Sequence, residues 1–199
     1  READRRGTTF EESATLAKPL PALSPRGLFW AATRLNMKIG GLFSEGVRLG
    51  HQTGFDSGST LDYVYRNKPA GTGPLGRMID KQYLESIGWR GIRQRKVHLE
   101  ELLRKAMDTL HEAGRPLRIL DIAAGHGRYV LEALAHTPHR PDSILLRDFS
   151  DINVRDGATL IREKNLQKIA RFEKGDAFDR ASVADVQPRP SIGIVSGLY

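Results

Sequence analysis

The stretch from Leu117 to Leu134 constrains the fold of this chain more than any other. Its first part, residues 118–123, is a short apolar run rich in branched side chains, which is typical of a buried parallel strand. Two glycines, Gly125 and Gly127, then allow the backbone to turn sharply and to approach a ligand closely. Apolar residues at helical spacing follow, so the turn opens a helix whose free N–H groups face the ligand. The stretch predicts a strand, a glycine turn and a helix that form a binding loop.

Two kinds of cofactor-binding protein use such a turn, and the spacing separates them. The dinucleotide pattern G-x-G-x-x-G fails because Val130 stands where its third glycine is needed. An acidic strand end followed by A-x-G-x-G stands there instead: Asp121, Ala123, Gly125 and Gly127. This pattern resembles the first motif of class I S-adenosylmethionine (SAM)-dependent methyltransferases. The resemblance implies that Asp121 orients the loop and the methionine part of SAM, while the two glycines allow its close approach.

A second apolar strand, residues 143–147, ends at Asp148. Asp148 follows Gly127 by 21 residues, close to the ~20 at which an acidic residue reaches the ribose hydroxyls in nucleotide-binding βαβ units. Its two carboxylate oxygens can accept from both hydroxyls at once. We predict that Asp148 holds the ribose and that the next residue, Phe149, lies against the adenine.

Two more strands are predicted further along, at residues 169–172 and 191–196. The first of them leads into Asp176 and Ala177. In the methyltransferase pattern, an acidic residue after the third strand accepts from the adenine amino group and the next backbone N–H meets the ring. The resemblance therefore implies that Asp176 and Ala177 bind the adenine.

These pieces predict an α/β fold, namely a Rossmann-like parallel sheet that forms the first half of the class I methyltransferase fold. Residues 48–103 are also similar to the region before the SAM motif in a bacterial methyltransferase family, some members of which are fused to α/β-hydrolase domains. The resemblance implies strand order 3-2-1-4, with the fourth strand as an open edge. We therefore expect a truncated chain that is inactive alone, and no catalytic residue can be named.

The sequence predicts three regions: a flexible leader at 1–23, a helical N-terminal extension at 24–114 and an incomplete SAM-binding domain at 115–199. The extension should begin with a helix that Ser24 caps and in which Pro25 is the first residue. The apolar face of residues 25–39 either packs on its own domain or lies on a membrane surface.

Later helices of the extension are predicted at residues 59–66 and 75–87. The helix that begins at Pro25 should end where Gly40 and Gly41 interrupt its apolar pattern. The helix at 75–87 should end at Gly88. The glycine-rich segment 50–76 indicates either a binding loop or a plain connector. A long helix with leucines at three- and four-residue spacing follows and ends near Gly114.

The net charge of +7 is concentrated in the N-terminal part, where Lys and Arg outnumber Asp and Glu by 19 to 13 over residues 1–116. This excess favours an anionic partner, whether a small molecule, a lipid surface or nucleic acid. Three arginines of the basic segment 89–96 are candidates to meet the cofactor's carboxylate or an anionic substrate: Arg90, Arg93 and Arg95. The alternative is a solvated basic face.

The chain has no cysteine, which excludes disulfides and thiolate metal sites, and no signal peptide is recognisable at its start. None of the six histidines has a metal-ligand spacing, so we expect no metal, and we expect a cytoplasmic protein. The predicted function is methyl transfer from SAM to an anionic or lipid-like small molecule. A non-catalytic module that binds SAM, an anionic surface or nucleic acid is the alternative, and an NAD-dependent oxidoreductase is less favoured.

Overall fold

A computed structural model describes residues 9–21 and 23–197. The chain divides into two compact units, residues 1–40 and 41–199. The predicted leader falls partly on residues 1–8 and 22, which lie outside the described residues. Within the described ranges, no helix is both long enough and apolar enough to cross a membrane.

The first unit contains α1 (Phe10–Leu16), within the predicted leader, and most of α2 (Pro25–Phe43). The Ser24 hydroxyl accepts a hydrogen bond from the Gly27 N–H at 3.0 Å, which confirms the predicted cap. The prediction that Gly40 and Gly41 end this helix is wrong, because α2 continues to Phe43. A glycine inside a helix costs only about 1 kcal/mol relative to alanine, and the surrounding residues outweigh that cost here.

Four helices open the second unit: α3 (Glu45–Thr53), α4 (Gly58–Arg66), α5 (Gly73–Leu84) and α6 (Ile87–Glu112). The glycine-rich segment 50–76 is therefore mostly helical. The prediction that Gly88 closes the third of these helices is also wrong, since α5 ends at Leu84 and Gly88 lies in the first turn of α6. The leucine-rich helix is confirmed, and it begins at Ile87, so the whole basic segment belongs to it.

A buried carboxylate joins three of these helices. Asp80 on α5 is fully buried, and it accepts hydrogen bonds from the Ser44 hydroxyl (2.6 Å) and from the N–H groups of Gly46 (2.9 Å) and Ala70 (2.8 Å). The Tyr63 hydroxyl of α4 donates to its other side. A buried charge is tolerated when it is fully hydrogen-bonded, and this one fixes α3, α4 and α5 to one another.

The rest of the unit is a parallel sheet with helical crossovers. Its strands are β1 (Arg118–Ile122), β2 (Ser143–Asp148), β3 (Ala170–Lys174) and β4 (Ile192–Val195). The crossover helices are α7 (Arg128–Ala133), α8 (Asp151–Glu163) and α9 (Arg180–Ala184), with a 3₁₀ turn after α7. The described strands lie in the order β3-β2-β1-β4 and all pair in parallel, which confirms the predicted order and fold class.

The hydrophobic core lies between the central strands and the helices on either side. Ile144 and Leu146 of β2 are completely buried, as is Val130 of α7. Leu103 and Met107 of α6 belong to the same cluster. The long helix α6 and the sheet therefore share one core, and this holds the amino-terminal half of α6 beside the carboxyl ends of the strands.

Candidate functional site

The predicted binding loop runs from the end of β1 to the start of α7, and its backbone leaves the common conformations three times. Ala123, Gly125 and Gly127 have φ angles of +56°, +59° and +67°. Gly127 is the N-cap of α7, and its N–H donates to the Ala124 carbonyl at 2.8 Å. Left-handed residues are costly without glycine, so a loop built around three of them is a specialised turn. The predicted strand, glycine turn and helix are confirmed.

The carboxylate of Asp148, at the end of β2, is bonded to this loop. Its Oδ2 accepts from the Gly125 N–H at 2.9 Å, while its Oδ1 accepts from the Ser150 N–H (2.9 Å) and the Asn153 amide (3.0 Å). Oδ1 therefore has both lone pairs in use, and Oδ2 keeps one. One hydroxyl of a ligand, rather than the two expected from the sequence, has an open acceptor on Asp148. Ser150 occupies the N-cap position of α8, but its side chain makes no capping bond.

Asp121 lies behind the loop and is fully buried. Its Oδ2 accepts a hydrogen bond from the Tyr129 hydroxyl at 2.6 Å, and its Oδ1 has no partner among the described residues. Burial raises the pKa of Asp121 to about 7; the bond from Tyr129 opposes that shift and the charge of Asp148 adds to it. Asp121 is connected through Tyr129 to the first turn of α7, and so to the glycine loop.

A cavity of about 730 Å³ opens over the loop at the carboxyl edge of the sheet. Four of the residues predicted from the sequence line it: Ala123, Gly125, Gly127 and Asp148. Asp121 does not reach its surface. Crevices outside the carboxyl ends of parallel strands are where open α/β sheets bind their ligands.

The other three predicted residues lie further along the same edge, outside the cavity lining. Phe149 follows β2 and is 70% exposed, with the Lys174 ammonium 5.8 Å from its ring centre. Asp176 is exposed and its Oδ1 accepts from the Phe178 N–H at 2.9 Å, while Ala177 is half-buried beside it. Phe178 is itself 73% exposed. The structure thus places these residues on an open shelf at the ends of β2 and β3.

The opposite wall of the cavity comes from the helices before the sheet. Its apolar part consists of Phe55, Leu61, Tyr65, Trp89 and Ile92. None of these five residues was predicted individually from the sequence as a site residue. The available signal was their spacing: Leu61 and Tyr65 share one face of α4, and Trp89 and Ile92 share one face of α6.

The three arginine candidates of α6 have different surroundings. Arg90 is exposed and does not line the cavity. Arg93 donates to the Leu84 carbonyl at 2.7 Å and lies 3.9 Å from the Glu85 carboxylate. Arg95 lines the cavity. Of the three, only Arg95 is placed to meet a ligand in the cavity.

An ionic cluster holds α4 against the glycine loop. Asp62 of α4 accepts from the Arg128 guanidinium, and His126 Nδ1 lies 3.5 Å from the same carboxylate. The Nε2 of His126 lies 3.3 Å from the Ser59 hydroxyl. Burial raises the pKa of Asp62, but the bonds from His126 and Arg128 outweigh it and lower that pKa to about 2. Both ring nitrogens of His126 are engaged, so His126 joins α4 to the loop.

The same two segments also touch through their backbones. A Cβ added to Gly58, the first residue of α4, would lie 2.7 Å from the Gly125 Cα and 2.6 Å from the Asn153 amide nitrogen.

Among the described residues, no group of three His, Asp or Glu side chains is arranged to hold a metal ion. Fold and cavity define a Rossmann-like α/β protein with one wall of its site built by preceding helices.

Comparison with known proteins assigns the chain to a family. Residues 1–199 match the model of a family described as "Putative methyltransferase". The chain is also 52% identical over 181 residues to the uncharacterized protein YnbC of Escherichia coli (strain K12), covering 91% of this chain and 31% of that protein. The chain spans about a third of the length of this curated relative. It belongs to this methyltransferase family, which confirms the resemblance seen in the sequence.

Solved structures of other proteins show a weaker likeness. The structure of WbdD with a kinase inhibitor is 22% identical, with a TM-score of 0.37 over 51% of this chain and 22% of that chain. The dimethyltransferase RosA from Streptomyces davawensis is 18% identical, with a TM-score of 0.30 over 64% of this chain and 38% of that chain. No functional conclusion follows from likeness at this level.

Proposed function

We propose that this protein binds S-adenosylmethionine at the carboxyl edge of its sheet and transfers the methyl group to a small-molecule acceptor. The observation that carries the proposal is the glycine loop beside the cavity. The Gly125 N–H of this loop donates a hydrogen bond to the Asp148 carboxylate, and both residues line the cavity. The family membership supports methyl transfer, and the loop supports a nucleoside-containing donor.

The groups around the loop suit the polar parts of this cofactor. The free lone pair of Asp148 Oδ2 would accept from a ribose hydroxyl, and the shelf formed by Phe149, Asp176 and Ala177 would hold the adenine. A side chain at Gly127 would overlap with Leu146, and one at Gly125 would lie 3.2 Å from the Gly58 Cα. The close packing around these two positions therefore requires glycine. Both glycines also line the cavity, so a ligand there can contact the loop backbone.

SAM supplies a methyl group on a positively charged sulfur, which is an excellent leaving group. The protein's contribution is therefore to position the acceptor and to exclude water. The apolar wall formed by Leu61, Tyr65, Trp89 and Ile92 is suited to both tasks. It would hold the acceptor on the side of the cavity facing α4 and α6.

The same wall supports a proposal for the class of acceptor. Side chains with large apolar surfaces bind ligands with an apolar body, such as an aromatic or lipid-like small molecule. Within the second unit, residues 41–116 hold 12 Lys and Arg against 9 Asp and Glu, and this excess favours an acceptor that also carries a negative group.

A calorimetric titration with S-adenosylhomocysteine, the demethylated cofactor, tests the proposal. Wild-type protein should bind it, and Asp148→Asn should bind it at least tenfold more weakly, because a hydrogen bond to a charged acceptor contributes about 1.5–3 kcal/mol. Asp108→Asn is the matched control, since Asp108 is exposed and pairs with His139, and neither residue lines the cavity. Binding that both variants retain fully, or no binding by folded wild-type protein, would contradict the proposal.

A further inference from the structure

Arg95 is a cation in the wall of the cavity, and none of the described residues forms an ion pair with it. Its side chain lines the cavity, and its Nε is buried without a hydrogen-bond partner among the described residues. A guanidinium has five N–H donors in a fixed planar arrangement, so it is suited to a planar anion with two oxygens.

Two neighbouring cations of α6, Lys96 and Arg93, do have partners within the protein. Lys96 pairs with Glu100 at 2.5 Å and with Glu132 at 2.8 Å. Arg93 is bonded to the carbonyl of Leu84. Because removing a charge from water without a partner is costly, a half-buried arginine left unpaired among paired neighbours indicates an anion that arrives with the ligand.

The position of Arg95 narrows the identity of that anion. A Cβ on Gly197, which follows β4, would lie 3.6 Å from the Arg95 Nη1. Asp148, the proposed ribose acceptor, ends β2, and β1 lies between β2 and β4. Strands lie about 4.8 Å apart, so the two anchors are separated by roughly 10 Å along the edge of the sheet. A cofactor with its adenine at β3 and its ribose at β2 directs its amino-acid end towards β4.

We propose that Arg95 binds a carboxylate, and that this carboxylate is the amino-acid end of the cofactor. The inference rests on the proposed function, and it assigns a binding residue to a helix outside the nucleotide-binding sheet. A carboxylate on the acceptor has the same chemistry, so the experiment has to separate the two sources.

Titration with two nucleosides makes this separation. S-adenosylhomocysteine carries the amino-acid carboxylate, whereas 5′-deoxy-5′-methylthioadenosine lacks it. Arg95→Gln should weaken binding of the first at least tenfold and change binding of the second less than twofold. Arg90→Gln removes the same charge from an exposed position on the same helix and should change neither. An Arg95→Gln protein that binds S-adenosylhomocysteine like wild type, or loses both nucleosides equally, overturns the proposal.

A second measurement needs no variant. Phenylglyoxal modifies accessible arginines, and peptide mass spectrometry reports the modification at Arg95. Protection by S-adenosylhomocysteine but not by methylthioadenosine supports the cofactor as the source. If Arg95 is modified equally in the two complexes, it does not bind the cofactor's carboxylate, and the proposal is overturned. If wild-type protein binds neither nucleoside, the proposed function fails, and that outcome is distinct from the failure of Arg95 alone.

Discussion

Arg128 donates two hydrogen bonds to Asp62, from its Nε at 2.6 Å and from its Nη2 at 3.3 Å. Asp62 lies on α4 among the helices before the sheet, and Arg128 is the first residue after the glycine loop. The pair is 66 residues apart in sequence and only 4% of Asp62 is exposed. One ion pair thus fixes a wall of the cavity to the loop that forms its floor.

Asp62→Asn should destabilise the fold by about 2–4 kcal/mol at pH 7, because Arg128 loses one of its two carboxylate partners and keeps only Glu132. Bonds that hold the pKa of Asp62 near 2, below its unfolded value of 3.8, contribute roughly 2 kcal/mol of this. Since the folded-state pKa is the lower one, that stabilisation is complete above about pH 5 and is lost as the pH falls through 3.8 towards 2.

Urea unfolding of wild type and Asp62→Asn at several pH values measures the effect as a difference between their free energies of unfolding. The difference should shrink between pH 5 and pH 2.5. Glu101→Gln, an exposed change on α6, should follow wild type throughout. A difference that stays constant down to pH 2.5 would show that the charge of Asp62 contributes nothing.

Gly58→Ala should weaken the site although Gly58 lies outside the sheet. The new Cβ would lie 2.7 Å from the Gly125 Cα, and backbone cannot move away cheaply. We expect a loss of 1–3 kcal/mol in stability, as for other overpacked positions, and at least a tenfold loss in affinity for S-adenosylhomocysteine.

Gly91→Ala is the control for that change. Gly91 is a helical residue of α6, and beyond its own helical turn no atom would lie within 4 Å of an added Cβ, so alanine should stabilise the protein by about 0.5–1 kcal/mol. Calorimetric titration of both variants with S-adenosylhomocysteine compares their affinities directly. If Gly58→Ala binds as tightly as Gly91→Ala, the contact between α4 and the loop has no role in the site.

Asp121→Asn should change how stability depends on pH in the neutral range. Burial raises the pKa of Asp121 to about 7 from 3.8, so the folded state binds its proton more tightly than the unfolded state does. Wild type therefore loses stability from this group as the pH rises from 3.8 to 7, by up to about 1.4 kcal/mol per pH unit, and the variant does not. Thermal or urea unfolding measures this change. Between pH 5 and pH 8, the free energy of unfolding of the variant should rise relative to that of wild type by roughly 2 kcal/mol. Parallel curves would mean that Asp121 ionises normally.

Local patterns in the sequence were sufficient for the sheet and its loop. The strand ends at Ile122 and Asp148 were predicted to within a residue, because buried parallel strands are continuous apolar runs bounded by turn residues. The strand order came from the family resemblance. The break predicted at Gly40 was wrong because a local propensity of about 1 kcal/mol does not decide a helix that neighbouring residues stabilise.

The wall of the cavity was not predictable in the same way. Tyr65 and Trp89 have the helical spacing of ordinary core residues, and nothing local distinguishes a core face from the wall of a site. The Asp62–Arg128 pair joins segments distant in the chain, and the bond from Gly125 to Asp148 depends on the exact path of the loop. Such contacts follow from packing, which a single sequence does not specify residue by residue.

A crystal structure of the protein with S-adenosylhomocysteine would show directly whether the cofactor binds along the carboxyl edge of the sheet. We expect density over the glycine loop, with a ribose hydroxyl on Asp148 Oδ2, the adenine beside Asp176 and Ala177, and the amino-acid carboxylate at Arg95. Density that reverses this direction, or a ligand bound away from the carboxyl edge of the sheet, would contradict this expectation.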